Sequence, residues 1–279
     1  MKWSAAVGRT KDIYSFTWEG FNTPLKFAPG EGWYYGSATD WAGKLLTNVI
    51  GQPLSQYMAE NIFSPLGMHD TTFRPLNLPE EKKVRRVACA FRDAETGRLT
   101  MGAQPTPDDP PVESGGAGLH MSAADHARVL QALLQALSGE GGAPLVGKET
   151  IREMLRPQLS EPQQQMLKML TDMLRVAMVP EFPPGTPVDH GIGGVLNMAD
   201  VPGKRRKGSM MWAGVSNGRW VSSNSSPLLL PSVFRSSDGV LTVVGPGDGD
   251  RGHAYAQCVP SAGRGSKRAL QRARAGGLW

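Results

Sequence analysis

Phe27-Ala28-Pro29-Gly30-Glu31-Gly32-Trp33-Tyr34-Tyr35-Gly36-Ser37 ends a loop and opens a helix. Pro29, Gly30 and Gly32 are turn residues: proline presets φ, and glycine reaches positive φ without steric cost. Ser37 can cap the helix that follows, and Asp40 sits where an acid favours the positive end of the helix dipole. Trp41, Leu45 and Val49 recur at i, i+4 and i+8 and make one apolar stripe. Gly51 and Pro53 stop the helix. A tyrosine just before a capped helix is an ordinary packing feature in most proteins, and its catalytic reading depends on its neighbours.

Outward from this segment, helical patterns alternate with turn-rich breaks. Residues 1–36 are loop-like and rich in aromatic side chains. A short helix is expected over Leu54 to Phe63, ending at Ser64-Pro65-Leu66-Gly67, and a strand over Val84 to Phe91. Residues 102–118 form a long loop rich in Pro, Gly and Asp. Ser122 can cap a further helix with Asp125 at its third position, and Val129, Leu130, Leu133, Leu134 and Leu137 make its buried face. Helical patterns return at about 148–156 and 162–178, and strands at 191–198 and 208–220. No internal repeat is visible.

At 279 residues and 40% hydrophobic content the chain can build one large domain or two small ones around a sizeable core. No apolar run is long enough to span a bilayer, and Met1-Lys2-Trp3-Ser4 lacks the apolar stretch of a signal peptide. Cys89 and Cys258 stand far apart with no CxxC, which fits a reducing compartment and predicts a cytoplasmic protein. The net charge of +5 is uneven: residues 204–279 hold twelve Lys or Arg against three acids. After Trp220 the composition changes to a Ser/Asn run, a Gly/Pro/Asp run and an Arg-rich end, with Val240 to Val244 the one persuasive strand. Two parts are therefore expected: a domain over 1–220, and a poorly specified basic tail over 221–279, disordered or off-frame. A basic tail can also bind nucleic acid. No RRM, KH or zinc-finger pattern accompanies it, so neither nucleic acid nor membrane is an expected partner.

The five histidines show no HExxH and no paired metal spacing, so no metal or other cofactor is expected. His69 reads as structural, His126 as a solvated residue on the polar face of its helix, and Lys204-Arg205-Arg206-Lys207 as a solvated hairpin. Neither an α/β-hydrolase nucleophile elbow nor a dinucleotide-binding glycine fingerprint is expected.

Five stretches, taken in order, carry a resemblance. They are Phe27 to Ser37; Ser64-Pro65-Leu66-Gly67-Met68-His69-Asp70-Thr71-Thr72-Phe73; Gly115-Gly116-Ala117-Gly118-Leu119 followed by Ser122-Ala123-Ala124-Asp125; His190-Gly191-Ile192-Gly193-Gly194; and Gly208-Ser209-Met210-Met211-Trp212-Ala213-Gly214. Together they resemble the serine β-lactamase and penicillin-binding-protein superfamily, in its class C-like esterase branch and the fungal acyltransferases related to the lovastatin transesterase. The resemblance covers about residues 1–220 and implies an α/β fold: a helical lobe plus an antiparallel sheet flanked by helices. It also implies acyl transfer from small-molecule esters or thioesters, in secondary metabolism, through a serine ester.

In that family a Ser-x-x-Lys helix supplies nucleophile and base, and the tyrosine matched here by Tyr35 relays a proton. A neighbouring lysine favours the ionised phenol. The backbone N–H matched by Val215 completes the oxyanion hole, and Gly214 lets the strand lie close to substrate beside Trp212. Three departures matter. Ser37 replaces the asparagine of the family's Y-x-N, and Trp212 replaces the lysine of its KTG, which removes the usual partner of a β-lactam carboxylate. No serine in the chain has a lysine three residues on. The resemblance thus implies a truncated fold that lacks the N-terminal strands and the nucleophile helix. The rival reading is a non-catalytic remnant or a small-molecule binding module.

Overall fold

The computed structural model describes residues 2–86, 89–92, 96, 98–102, 106–138, 145–214, 219–222, 240–244 and 253–257. Its helices, in chain order, are α1 (Lys2–Ala6), α2 (Trp18–Phe21), α3 (Ala38–Ile50), α4 (Leu54–Met58), α5 (Glu80–Lys83), α6 (Ala123–Ser138), α7 (Lys148–Met154), α8 (Glu161–Met173) and α9 (Arg175–Met178). Its strands are β1 (Cys89–Arg92), β2 (Leu99–Gly102), β3 (Val188–Gly191), β4 (Gly194–Asn197), β5 (Met210–Ala213), β6 (Arg219–Ser222), β7 (Val240–Val244) and β8 (His253–Gln257). β1 and β2 form a separate hairpin. The other six make one antiparallel sheet in the order β3-β4-β5-β6-β8-β7.

Local chemistry explains where the helices start and stop. Gly51 takes a left-handed φ of 73° and its N–H closes α3 on the Thr47 carbonyl. Ser122 caps α6 through its hydroxyl, which accepts from the Asp125 N–H at 3.1 Å. Ser160 and Gln163 form a reciprocal capping box at α8, a Ser-x-x-Gln signal that the sequence reading passed over. Ser37 precedes α3 but caps nothing with its side chain; its hydroxyl donates to the Phe21 carbonyl instead.

The main core lies between α8, α9 and the sheet. Leu167, Val179, Phe182, Val188, Val195, Val201 and Met211 are buried together, and Trp33, Trp212 and Ala213 pack against them. Each such side chain contributes roughly 1.5–3 kcal/mol by leaving water. A smaller cluster joins Leu130 and Leu134 of α6 to Trp220.

Several expectations need correction. The strand expected over Val84 to Phe91 begins only at Cys89, because α5 and a turn occupy 80–85. The α3 stripe does not face a core: Trp41, Leu45 and Val49 are 44%, 66% and 75% exposed. His126 is not solvated, since its helix lies along the sheet and its ring packs 6.2 Å from that of Trp220. In the Lys204–Lys207 turn, Arg205 is buried, pairs with Glu181 and stacks over Phe182. Of the stretch 221–279, only 221–222, 240–244 and 253–257 are described. The strand expected at Val240–Val244 is β7, and it pairs with β8, which no sequence pattern had marked. Among the described residues no helix is long and apolar enough to cross a membrane.

Candidate functional site

The loop that carries Tyr35 is fixed on α8. Gln163 donates to the Gly30 carbonyl at 2.9 Å, and the Trp33 N–H donates to the Met166 thioether at 3.3 Å. Gly32 suits this path, because a Cβ there would lie 2.7 Å from the Phe27 ring and would force that ring to shift. The loop thereby holds Trp33 over the core and Tyr35 beside the end of β5.

Four aromatic rings from three segments meet there. Trp33 lies 5.7 Å from His190 of β3, His190 lies edge-on 5.8 Å from Trp212 of β5, and Trp212 lies 5.4 Å from Tyr35. These separations are those of favourable ring pairs. Tyr35 is 54% exposed and Trp212 half-buried, so the wall they form is open on one side. Gly214 is exposed immediately after β5, about 7 Å along the chain from Trp212. Val215 lies outside the described residues. An open groove of about 630 Å³ lies elsewhere, on the flank of α3 between Trp18, Lys44, Arg74 and Glu113.

Electrostatics keep both titratable rings neutral at pH 7. Burial raises the Tyr35 phenol pKa, and the nearby Asp40 and Tyr14 raise it further. Burial lowers the His190 pKa, offset in part by its hydrogen bond to the Gly191 carbonyl and the charge of Asp189. His190 Nδ1 makes that bond at 2.5 Å, which assigns Nδ1 as the protonated nitrogen and leaves Nε2 as an acceptor. Sequence reasoning had quoted His190 within a motif without giving it a role; its position next to the Gly191–Gly194 turn was the available signal.

Buried carboxylates hold the remaining motifs together. Asp40, buried at the start of α3, accepts from the Ser114 hydroxyl and from the Gly116 N–H. The glycines allow that approach: a Cβ on Gly115 would lie 2.6 Å from the Thr39 carbonyl, and one on Gly116 2.9 Å from Asp40 Oδ2. Asp125, also buried, accepts from the Asp70 N–H and the Thr71 hydroxyl, each at 2.8 Å, and pairs with Arg128. The 64–73 turn is thus tied to α6. Asp189, fully buried, accepts from the Gln158 and Leu159 N–H groups and from Gln164. Among the described residues no group of three or more His, Cys, Asp or Glu could hold a metal ion.

Two pattern matches were missed in the sequence. Gly214-Val215-Ser216-Asn217-Gly218 satisfies G-x-S-x-G, but it joins β5 to β6, an antiparallel pair in which Ala213 faces Arg219. A nucleophile elbow needs a strand-to-helix turn. Gly247-Asp248-Gly249-Asp250-Arg251-Gly252 satisfies G-x-G-x-x-G, but it runs from β7 into its antiparallel partner β8. The next described element is a strand, so among the described residues no helix N-terminus follows the pattern to receive a pyrophosphate.

Comparison with known proteins gives a consistent picture. The family model described as Beta-lactamase matches residues 15–223. The acyltransferase calJ of Penicillium decumbens is 35% identical over 208 residues, 72% of this chain and 48% of the relative. The lovastatin esterase of Penicillium rubens is 30% identical over 237 residues, 83% of this chain and 56% of the relative. Among solved structures, a variant of the simvastatin synthase of Aspergillus terreus superposes with a TM-score of 0.64 at 31% identity, over 71% of this chain and 48% of that one. The unliganded enzyme gives 0.65 at 26% identity, over 79% and 52%. The chain spans about half the length of the curated relatives it matches.

Proposed function

Because the chain belongs to the beta-lactamase family, we propose that it is the tyrosine-bearing part of a serine esterase or acyltransferase domain, and that by itself it forms no acyl-serine. Its fold is that family's in part: helices packed about a small antiparallel sheet, as in the simvastatin synthase. Its relatives are acyltransferases and esterases, so the substrate class is a small-molecule ester or thioester.

The observation that carries this reading is the convergence of Tyr35, His190 and Trp212 on one open aromatic wall. Such a wall suits the apolar acyl part of a substrate, with few polar groups to fix orientation. Gly214 and Val215 follow at the end of the strand, where a backbone N–H can meet an acyl carbonyl. The missing Ser-x-x-Lys, together with a phenol whose neighbours all oppose ionisation, supports inactivity of the chain alone. The same two features favour a second reading, a binding module that keeps the wall and no chemistry. We propose that the family domain ends near Trp220; the end of the family match at residue 223 supports this, and the pairing of β8 with β6 speaks against it.

Tryptophan fluorescence with an alkyl thioether analogue of an acyl thioester tests the wall. Saturable quenching is expected, weakened at least tenfold by Trp212→Ala. A chain that gives no saturable signal, or a Trp212→Ala variant that binds unchanged, would sink the assignment.

A further inference from the structure

The open groove on the flank of α3, about 630 Å³, shares no lining residue with the aromatic wall. Its size is that of a small-ligand site, roughly 300–1,000 Å³. α2 supplies Trp18 to it, α3 supplies Lys44 and Asn48, and two distant segments supply Arg74 and Glu113. Gly43 and Gly51 bring no side chain into it.

The two cations of the groove are in different states. Arg74 pairs with Asp109 and lies 3.9 Å from Glu113. Glu113 is occupied as well: it accepts from the Ser55 N–H at 2.8 Å and from the Ser55 hydroxyl at 2.7 Å. Lys44 makes no ion pair among the described residues, and its ammonium stands 5.0 Å from the centroid of the Trp18 ring. Phe21 and Trp41 hold that ring in turn, at 5.8 and 5.4 Å. An ammonium over an aromatic face is attracted to it, so the flexible lysine stem has a preferred place for its charge. The groove thus joins one unbalanced cation to a fixed apolar plate, with the amide of Asn48 one turn further along α3.

We propose that this groove binds a small monocarboxylate, whose apolar body lies against Trp18 and whose carboxylate pairs with Lys44. A dianion such as a phosphate ester is a poorer occupant. It would find a single unbalanced cation, because the acids already on Arg74 repel further negative charge. The site is separate from the wall and does not depend on the acyl-transfer reading.

Naphthoate tests the site on the full 279-residue chain, with naphthamide as its uncharged match. Proton–nitrogen NMR should show saturable shifts at the Trp18 indole N–H and at the α3 amides around Lys44. Naphthamide should bind at least tenfold more weakly, since it lacks the charge-assisted bond. Lys44→Gln should bring naphthoate down to the level of naphthamide, and Lys44→Arg should keep most of the affinity. No saturable shift, equal binding of the two probes, or naphthoate binding unchanged in Lys44→Gln overturns the proposal. Shifts at the Trp212 indole in place of Trp18 overturn it too. The alkyl thioether is titrated alongside. Naphthoate binding without thioether quenching keeps the groove and contradicts the wall, and the opposite result keeps the wall and overturns the groove.

Discussion

Tyr35 is where the chemistry of the family and the state of this chain part company. A phenol accepts a proton only once it is ionised, and a nearby cation would favour that. Here burial, Asp40 and Tyr14 all push the other way. Ultraviolet difference titration of the chain against Tyr35→Phe should therefore place this phenol above the ordinary tyrosine value of about 10; a midpoint at or below 10 would show an unrecognised cation. His120, His126 and His190 also titrate away from their usual value, each lowered chiefly by burial. Their folded forms bind protons less readily than the unfolded chain, so the stability they contribute is complete above about pH 6.5 and is lost as pH falls from there. Asp70, lowered by its pairing with Lys82 and Arg85, adds a further loss below about pH 4. Urea midpoints measured from pH 8 to pH 5 should fall steadily below pH 6.5, and a flat profile would mean that the three rings are solvated.

At the scale of elements, short-range signals carried well and long-range ones did not. α3, α6 and β7 were legible because caps, stops and periodic apolar residues lie within a dozen positions of each other. β8 was not, since the alternation in His253–Gln257 rests on two small alanines in five residues and the segment becomes a strand by pairing with β7. The exposure of the α3 stripe was equally hidden: periodicity marks an apolar face but not whether anything covers it. The motif residues were located by pattern, yet their roles depend on partners far away, such as Asp125 with Asp70, 55 residues apart. Asp125→Ala removes the acceptor of three groups and should cost on the order of 2–4 kcal/mol, with Asp125→Asn milder. Denaturant unfolding measures this, and a loss under about 0.5 kcal/mol would mean the turn is held by other contacts.

For the whole molecule, the fold family was legible from five ordered segments, and the resemblance set Tyr35 in one pocket with Trp212 and Gly214, whereas the joining of Trp33 and His190 to that pair was visible only once β3 and β5 were placed side by side through β4. We propose a domain boundary near Trp220, so limited proteolysis should cut first within residues 223–239, whose Ser, Asn and Pro content is that of a linker. A tail as resistant as α6 would place 221–279 inside the domain.

We propose that this chain holds an acyl-binding wall without a nucleophile. The direct measurement is intact-mass spectrometry after incubation with a p-nitrophenyl ester and, separately, with a fluorophosphonate. No burst of p-nitrophenol and no covalent adduct are expected. Saturable labelling of a single serine, Ser216 of the G-x-S-x-G pentapeptide included, would contradict it.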